Sequence, residues 1–133
     1  MSTAPAPQTK ADIQILLKAI AGNTSDPTLA NGITSAQWDV LAAYMQPMDI
    51  AAGRILIAQG AEDRTLYFVE SGMLTVHFED ATGKIRLAAV GAGTVVGEGG
   101  FFSRMARSAT VQAGSACRLW ALSPMRFSEL ANR

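Results

Sequence analysis

Residues 66–78 read Leu66-Tyr67-Phe68-Val69-Glu70-Ser71-Gly72-Met73-Leu74-Thr75-Val76-His77-Phe78, and this stretch decides the class of fold. Leu66 and Phe68 stand two apart, as do Leu74, Val76 and Phe78, with Gly72 between the two runs. Side chains of a strand alternate between faces, so this spacing predicts two strands joined by a turn. Outward from it the same period recurs at Ile55 and Ile57 and at Ile85 and Leu87, and strand character returns over 110–122. Gly53, Gly60, Gly72, Gly83, Gly91 and Gly93 punctuate the runs. Short strands at such spacing, with no helix-length crossover between them, predict a sandwich or barrel rather than a βαβ sheet.

The flanks read differently. Ile13, Leu16, Leu17 and Ile20 form one helical stripe, stopped by Gly22-Asn23. A polar linker leads to a second helix, for which Thr34 with Gln37 makes a capping box. Trp38, Leu41, Ala42 and Met45 carry that stripe until Pro47, which is expected to end it. Ser123-Pro124 opens a last helix, with Ser as cap and Pro in its first turn. The expected organisation is a leader over 1–12 and one domain over 13–133, with N-terminal helices (13–46), a barrel (50–122) and the start of a C-terminal helix (124–133).

Composition narrows the function. Eleven basic and eleven acidic residues cancel, which argues against a nucleic-acid-binding surface. One cysteine, Cys117, allows no internal disulfide and is expected to be a buried, inert thiol. No run is long and apolar enough to cross a membrane, and the N-terminus lacks the pattern of a secretory signal. A cytoplasmic protein is expected. His77 has no partner histidine, so a cupin-type metal enzyme is not expected. Gly91-Ala92-Gly93-Thr94-Val95-Val96-Gly97 lacks the dinucleotide fingerprint spacing. No nucleophile–base pair suggests catalysis.

The chemistry concentrates in 97–111: Gly97-Glu98-Gly99-Gly100-Phe101-Phe102-Ser103-Arg104-Met105-Ala106-Arg107-Ser108-Ala109-Thr110-Val111. Glycines before a short helical turn leave backbone N–H groups bare for an anion. An arginine within reach presents a fork that matches two phosphate oxygens. Glu98 would repel phosphate but accept a hydrogen bond from a sugar hydroxyl. One phosphate and a ribose diol would satisfy all three parts, although a surface Glu–Arg pair on a glycine-rich loop would look the same.

Gly97-Glu98 and Arg107-Ser108-Ala109, at this spacing, resemble the phosphate-binding cassette of the cyclic-nucleotide-binding domain family. That family includes catabolite activators, cAMP-dependent kinase regulatory subunits and cyclic-nucleotide-gated channels. The likeness extends through Gly53, Gly60, Asp63, Leu66-Tyr67-Phe68-Val69, Gly72 and Gly91-Ala92-Gly93, over about residues 34–130. It implies a mainly β chain, a double-stranded β-helix (jelly-roll) barrel with flanking N-terminal helices and a short C-terminal helix.

By matching position, the resemblance assigns Glu98 to the ribose 2′-hydroxyl and Arg107 to the cyclic phosphate. Backbone groups near Gly100 and Phe101, with Ser108, would complete the cradle, and Gly97 would permit close backbone approach. Ala109 closes the motif. Val90 and Leu87 would lie against the base. Gly99 and Ala106 depart from the usual Leu or Ile and Pro, and the Gly99-Gly100 pair should loosen the cassette helix.

Ser108 tilts the expected ligand towards cAMP over cGMP, with no cofactor and no reaction. The chain stops soon after Phe127 and Leu130, before the helix that covers the base in relatives. Either the chain is a trimmed or minimal sensor, or a partner protein or second copy is expected to supply cover and output. The rival reading keeps the fold, drops the nucleotide and leaves a protein-docking module.

Overall fold

A computed structural model of the chain describes residues 10–23, 34–97 and 106–132. Among these residues the chain is mainly β, with eight strands in two antiparallel four-stranded sheets and three helices. Helix α1 spans Lys10–Gly22 and α2 spans Ser35–Ala42. Strands β1 (Gln46–Ile50), β2 (Ile55–Ile57), β3 (Leu66–Ser71), β4 (Leu74–Asp80), β5 (Gly83–Val90), β6 (Val95–Val96), β7 (Thr110–Ala113) and β8 (Cys117–Leu122) follow, then α3 (Pro124–Ala131). The first sheet runs β1-β8-β3-β6 and the second β2-β7-β4-β5.

The first sheet is covered on both faces, and strand alternation explains how. Leu66, Phe68, Trp120 and Leu122 join Ile13, Leu16 and Ile20 of α1 and Trp38 and Ala42 of α2 in one buried cluster. Tyr67, Val69, Cys117 and Leu119 point the other way, into a second cluster with Ile57, Leu74, Val96 and Val111. The layers are therefore helices, sheet, sheet. Trp120 lies on the face opposite Leu119, as the period of two requires, and packs against the helices. Each large apolar side chain so buried contributes roughly 1.5–3 kcal/mol. Cys117 is buried, with Sγ 3.3 Å from the Met73 carbonyl.

One carboxylate lies within the first sheet's outer layer. Glu70 is buried, and it accepts the Trp120 indole N–H at 2.8 Å while Arg118 Nε stands 3.3 Å from its second oxygen. Arg118 also bridges to Asp49, its cross-strand neighbour on β1. The buried charge is thereby paired and hydrogen-bonded, which is the condition for keeping it there.

Local signals mark several boundaries. Thr34 caps α2, accepting from Gln37 N–H at 3.2 Å while Gln37 Oε1 accepts from Thr34 N–H at 2.8 Å. Ser123 caps α3 and accepts from Arg126 N–H. Three boundaries depart from expectation. α1 begins at Lys10, inside the stretch assigned to the leader. α2 stops at Ala42, and Pro47 sits within β1 opposite Trp120. β1 is an edge strand, where a residue without an N–H is tolerated, so the first strand begins before Ile50.

A further departure concerns register. Shifts between Ile55 and Ile57, and opposite Val76 and His77, interrupt the simple alternation. Ile57 is buried while Ile55 is exposed, and Leu87 is the extra residue between the Ala88 and Arg86 pairings.

Gly93 fastens α1 to the sheets. Its φ is +86°, and a Cβ there would run into the Ala19 carbonyl oxygen. Its N–H donates to the Val69 carbonyl at 2.7 Å and its carbonyl accepts from Asn23 Nδ2 at 3.2 Å. Gly93→Ala is expected to destabilise the protein by more than the roughly 1–2 kcal/mol of the left-handed backbone alone. Urea unfolding will read the loss, and amide exchange in α1 is expected to accelerate more than exchange in β8.

Candidate functional site

Arg107 is a charged residue only 5% exposed. Taking a guanidinium out of water is costly unless acceptors replace the water, because arginine does not shed its proton. Three acceptors converge on it. Nη1 donates to the Gly97 carbonyl at 2.9 Å and Nη2 to the Thr65 carbonyl at 2.6 Å, while Asp63 Oδ2 lies 3.4 Å from Nη2. Nε is buried and has no hydrogen-bond partner among the described residues. The fork is thus gripped at its two terminal nitrogens, and Nε is its one nitrogen with no partner among the described residues.

Backbone contacts hold the residue as firmly. The Arg107 N–H donates to the Ala61 carbonyl at 2.8 Å and the Arg107 carbonyl accepts from Gly60 N–H at 2.7 Å. The β2–β3 loop, residues 58–65, therefore clasps Arg107 by main chain and side chain together. Asp63 is itself fixed by Thr65, whose N–H and hydroxyl donate to Oδ1 at 3.1 and 2.8 Å. An Asp bonding the backbone two residues on is a local turn motif that needs no tertiary contact to form.

These contacts set the local electrostatics. Partial burial works to raise the Asp63 carboxyl, but the two bonds from Thr65 and the Arg107 charge outweigh it and hold it below the usual carboxylate range. Tyr67, inside the sheets, is pushed the other way: burial first, and the Asp63 charge second, raise its hydroxyl.

Gly97 immediately follows β6, with φ +89°. A Cβ there would meet Arg107 Nη1 and the Thr65 carbonyl oxygen, each at 2.8 Å. The space beside this glycine is filled by the arginine fork and the Thr65 carbonyl. Ser108, exposed, and Ala109, half-buried, lie in the bend that enters β7. Val90 ends β5 opposite Leu74 and packs, half-buried, on the inner cluster. Leu87 is largely exposed on the same strand. Glu98, Gly99, Gly100 and Phe101 lie outside the described residues. Of the expected site residues, the structure brings Gly97 and Arg107 into contact, and Val90 packs on the inner cluster that also holds Val96.

Asp63 and Thr65 received no role from the residues alone. The Asp-x-Thr spacing is the signal that could have marked them, as a side-chain turn facing the arginine segment. No group of three or more metal-ligating side chains gathers among the described residues, and no helix among them is long and apolar enough to span a membrane.

Two outcomes are expected. Gly97→Ala displaces the guanidinium, so the Arg107 Nε–H resonance shifts and the melting temperature falls. The Asp63 carboxyl is lowered in the folded protein, so its contribution is complete above the unfolded value near ~3.9 and is lost as pH falls through the folded value. Denaturant titrations from neutral pH to about pH 3 should show wild type losing stability over that window relative to its neutral value. Asp63→Asn lacks this component, and its profile is flatter.

Residues 47–133 match the family model described as the cyclic nucleotide-binding domain. No curated protein sequence matches the chain. The regulatory domain of Toxoplasma gondii PKA, in co-crystal with cAMP, is 26% identical at a TM-score of 0.78, covering 92% of this chain and 46% of its own. Thermus thermophilus catabolite activator protein is 27% identical at 0.72, covering 79% and 50%. The N-terminal domain of a Streptomyces coelicolor transcriptional regulator is 27% identical at 0.74, covering 86% and 78%. The chain thus spans half or less of the first two, one module of a larger protein in each case. By the family match over residues 47–133, this chain belongs to the cyclic nucleotide-binding domain family.

Proposed function

We propose that this chain is a cyclic-nucleotide sensor, a regulatory binding domain over residues 13–133 that takes cAMP in preference to cGMP and performs no reaction. The two sheets then form the family's jelly-roll barrel around the ligand. The observation that carries the reading is the state of Arg107. Its terminal nitrogens are held by Gly97, Thr65 and Asp63, while Nε is buried and unpartnered among the described residues. A buried, unused, charged donor has a physical reason to exist when an anion completes it.

In this reading the cyclic phosphate accepts from Arg107, with Ser108 and the backbone near Gly100 and Phe101 completing the cradle. Glu98 accepts the ribose 2′-hydroxyl, Gly99 and Ala109 frame the cassette, and Val90 lies against the base. Further support comes from the Toxoplasma gondii domain, similar in sequence and fold, which is described with cAMP. Ser108, exposed beside Arg107, provides the modest tilt to cAMP. A second copy or a partner protein would carry the signal onward, and the cytoplasm is the compartment this role implies.

Isothermal titration of cAMP and cGMP into wild type, Arg107→Lys and Arg107→Ala tests the reading. Wild type is expected to bind cAMP more tightly than cGMP. Arg107→Lys keeps the charge but loses the fork, and should weaken binding roughly tenfold to a hundredfold, the equivalent of charge-assisted hydrogen bonds. Failure of wild type to bind either nucleotide at millimolar concentration would overturn the reading in favour of a docking module.

A further inference from the structure

The second sheet contains an interruption that the family likeness does not explain. β4 and β7 pair antiparallel through Leu74↔Ala113, Thr75↔Gln112, Val76↔Val111 and His77↔Thr110. Continued by two residues, that register would place Ser108 opposite Glu79. The ladder stops at Thr110 instead, and Ser108 lies in an exposed bend. Glu79 still has both main-chain partners. Its N–H donates to Gln59 Oε1 at 2.8 Å, and its carbonyl accepts from Gln59 Nε2 at 2.8 Å. A side-chain amide offers an acceptor oxygen and a donor N–H to the same side, as the C=O and N–H of one strand residue do, so Gln59 occupies the rung that Ser108 would otherwise fill.

Gln59 comes from the loop after β2, on the far side of β7 in the sheet order. Its side chain therefore reaches past the entry to β7 to reach β4. Its own N–H donates to Thr110 Oγ1 at 3.1 Å, at the first residue of β7. The next two residues, Gly60 and Ala61, make the two main-chain bonds to Arg107. One short segment thus ends the β4–β7 ladder and, immediately beyond, takes hold of the arginine.

We propose that Gln59 is a positioning residue: its amide substitutes for a strand at Glu79, keeps residues 107–109 off the sheet, and sets the 59–61 segment that holds Arg107 for an anion. The positioning claim concerns the unliganded protein, while its consequence for affinity rests on the cyclic-nucleotide reading above. Without the amide, Glu79 would seek the Ser108 main chain, and lengthening β7 by two residues would turn Arg107 and Ser108 away from their present places.

The test is Gln59→Leu, which keeps the bulk and removes both bonds, beside Gln59→Glu, which keeps only the acceptor. Amide exchange is followed by NMR without ligand, and cAMP affinity is measured in parallel. Expected for Gln59→Leu are faster exchange at Gly60 and Arg107, unchanged exchange at Val69 and Leu119, and affinity lower by about three- to thirtyfold. Gln59→Glu should fall between it and wild type in both readouts. Unchanged exchange at Gly60 and Arg107 in Gln59→Leu would overturn the positioning role, as would an equal rise across the core. If wild-type protein binds no nucleotide, the sensor reading fails on its own, and the exchange data still decide the role of Gln59.

Discussion

Burying the Arg107 guanidinium is the constraint around which the described parts of this site are arranged. A permanently charged group removed from water must find replacement acceptors or it will not stay buried. Here they come from segments distant in sequence: Gly97 at the end of β6, Thr65 and Asp63 before β3. Satisfying them brings the β2–β3 loop, the end of β6 and the entry to β7 to one place. The glycine at 97 follows from the same requirement, since any side chain there would occupy the space of the fork.

The layers behind the site provide the stiffness that such geometry needs. The first sheet is sealed by α1 and α2 on one face and by the second sheet on the other, so β3 cannot shift without disturbing both clusters. Thr65 stands immediately before that strand, and Gly97 immediately follows β6, its sheet neighbour. The two carbonyl acceptors for the guanidinium therefore flank strands that are packed into these clusters. In contrast, β5 forms an edge of the second sheet and is exposed almost throughout. That difference leaves the strands beside Arg107 packed on both faces and the β5 edge open.

Much of the architecture was legible because it rests on local rules. The period of two in 66–78 located β3 and β4 on the correct faces, and the stripe at Ile13, Leu16 and Ile20 identified the helix face that is buried. The caps at Thr34 and Ser123 depend only on residues within one turn. Pro47 misled for a physical reason. A proline can end a helix or lie in an edge strand, and only the sheet order decides between them. The register shifts opposite His77 and at Ile55 were also hidden, since a bulge is a relation between two strands.

For the site, the sequence by itself determined the candidate anion-binding elements: an arginine after a glycine-rich turn, with residue types whose chemistry is readable from their identity. Tertiary structure alone decided that the Arg107 fork is gripped by Asp63 and two carbonyls with Nε left over, and that Gln59 replaces a strand at Glu79. Neither follows from residue identity, because carbonyl oxygens are present at every position and any amide side chain can imitate a peptide group. Which of them faces a given donor is set by the path of the chain in three dimensions, where residues 44 and 20 positions apart meet.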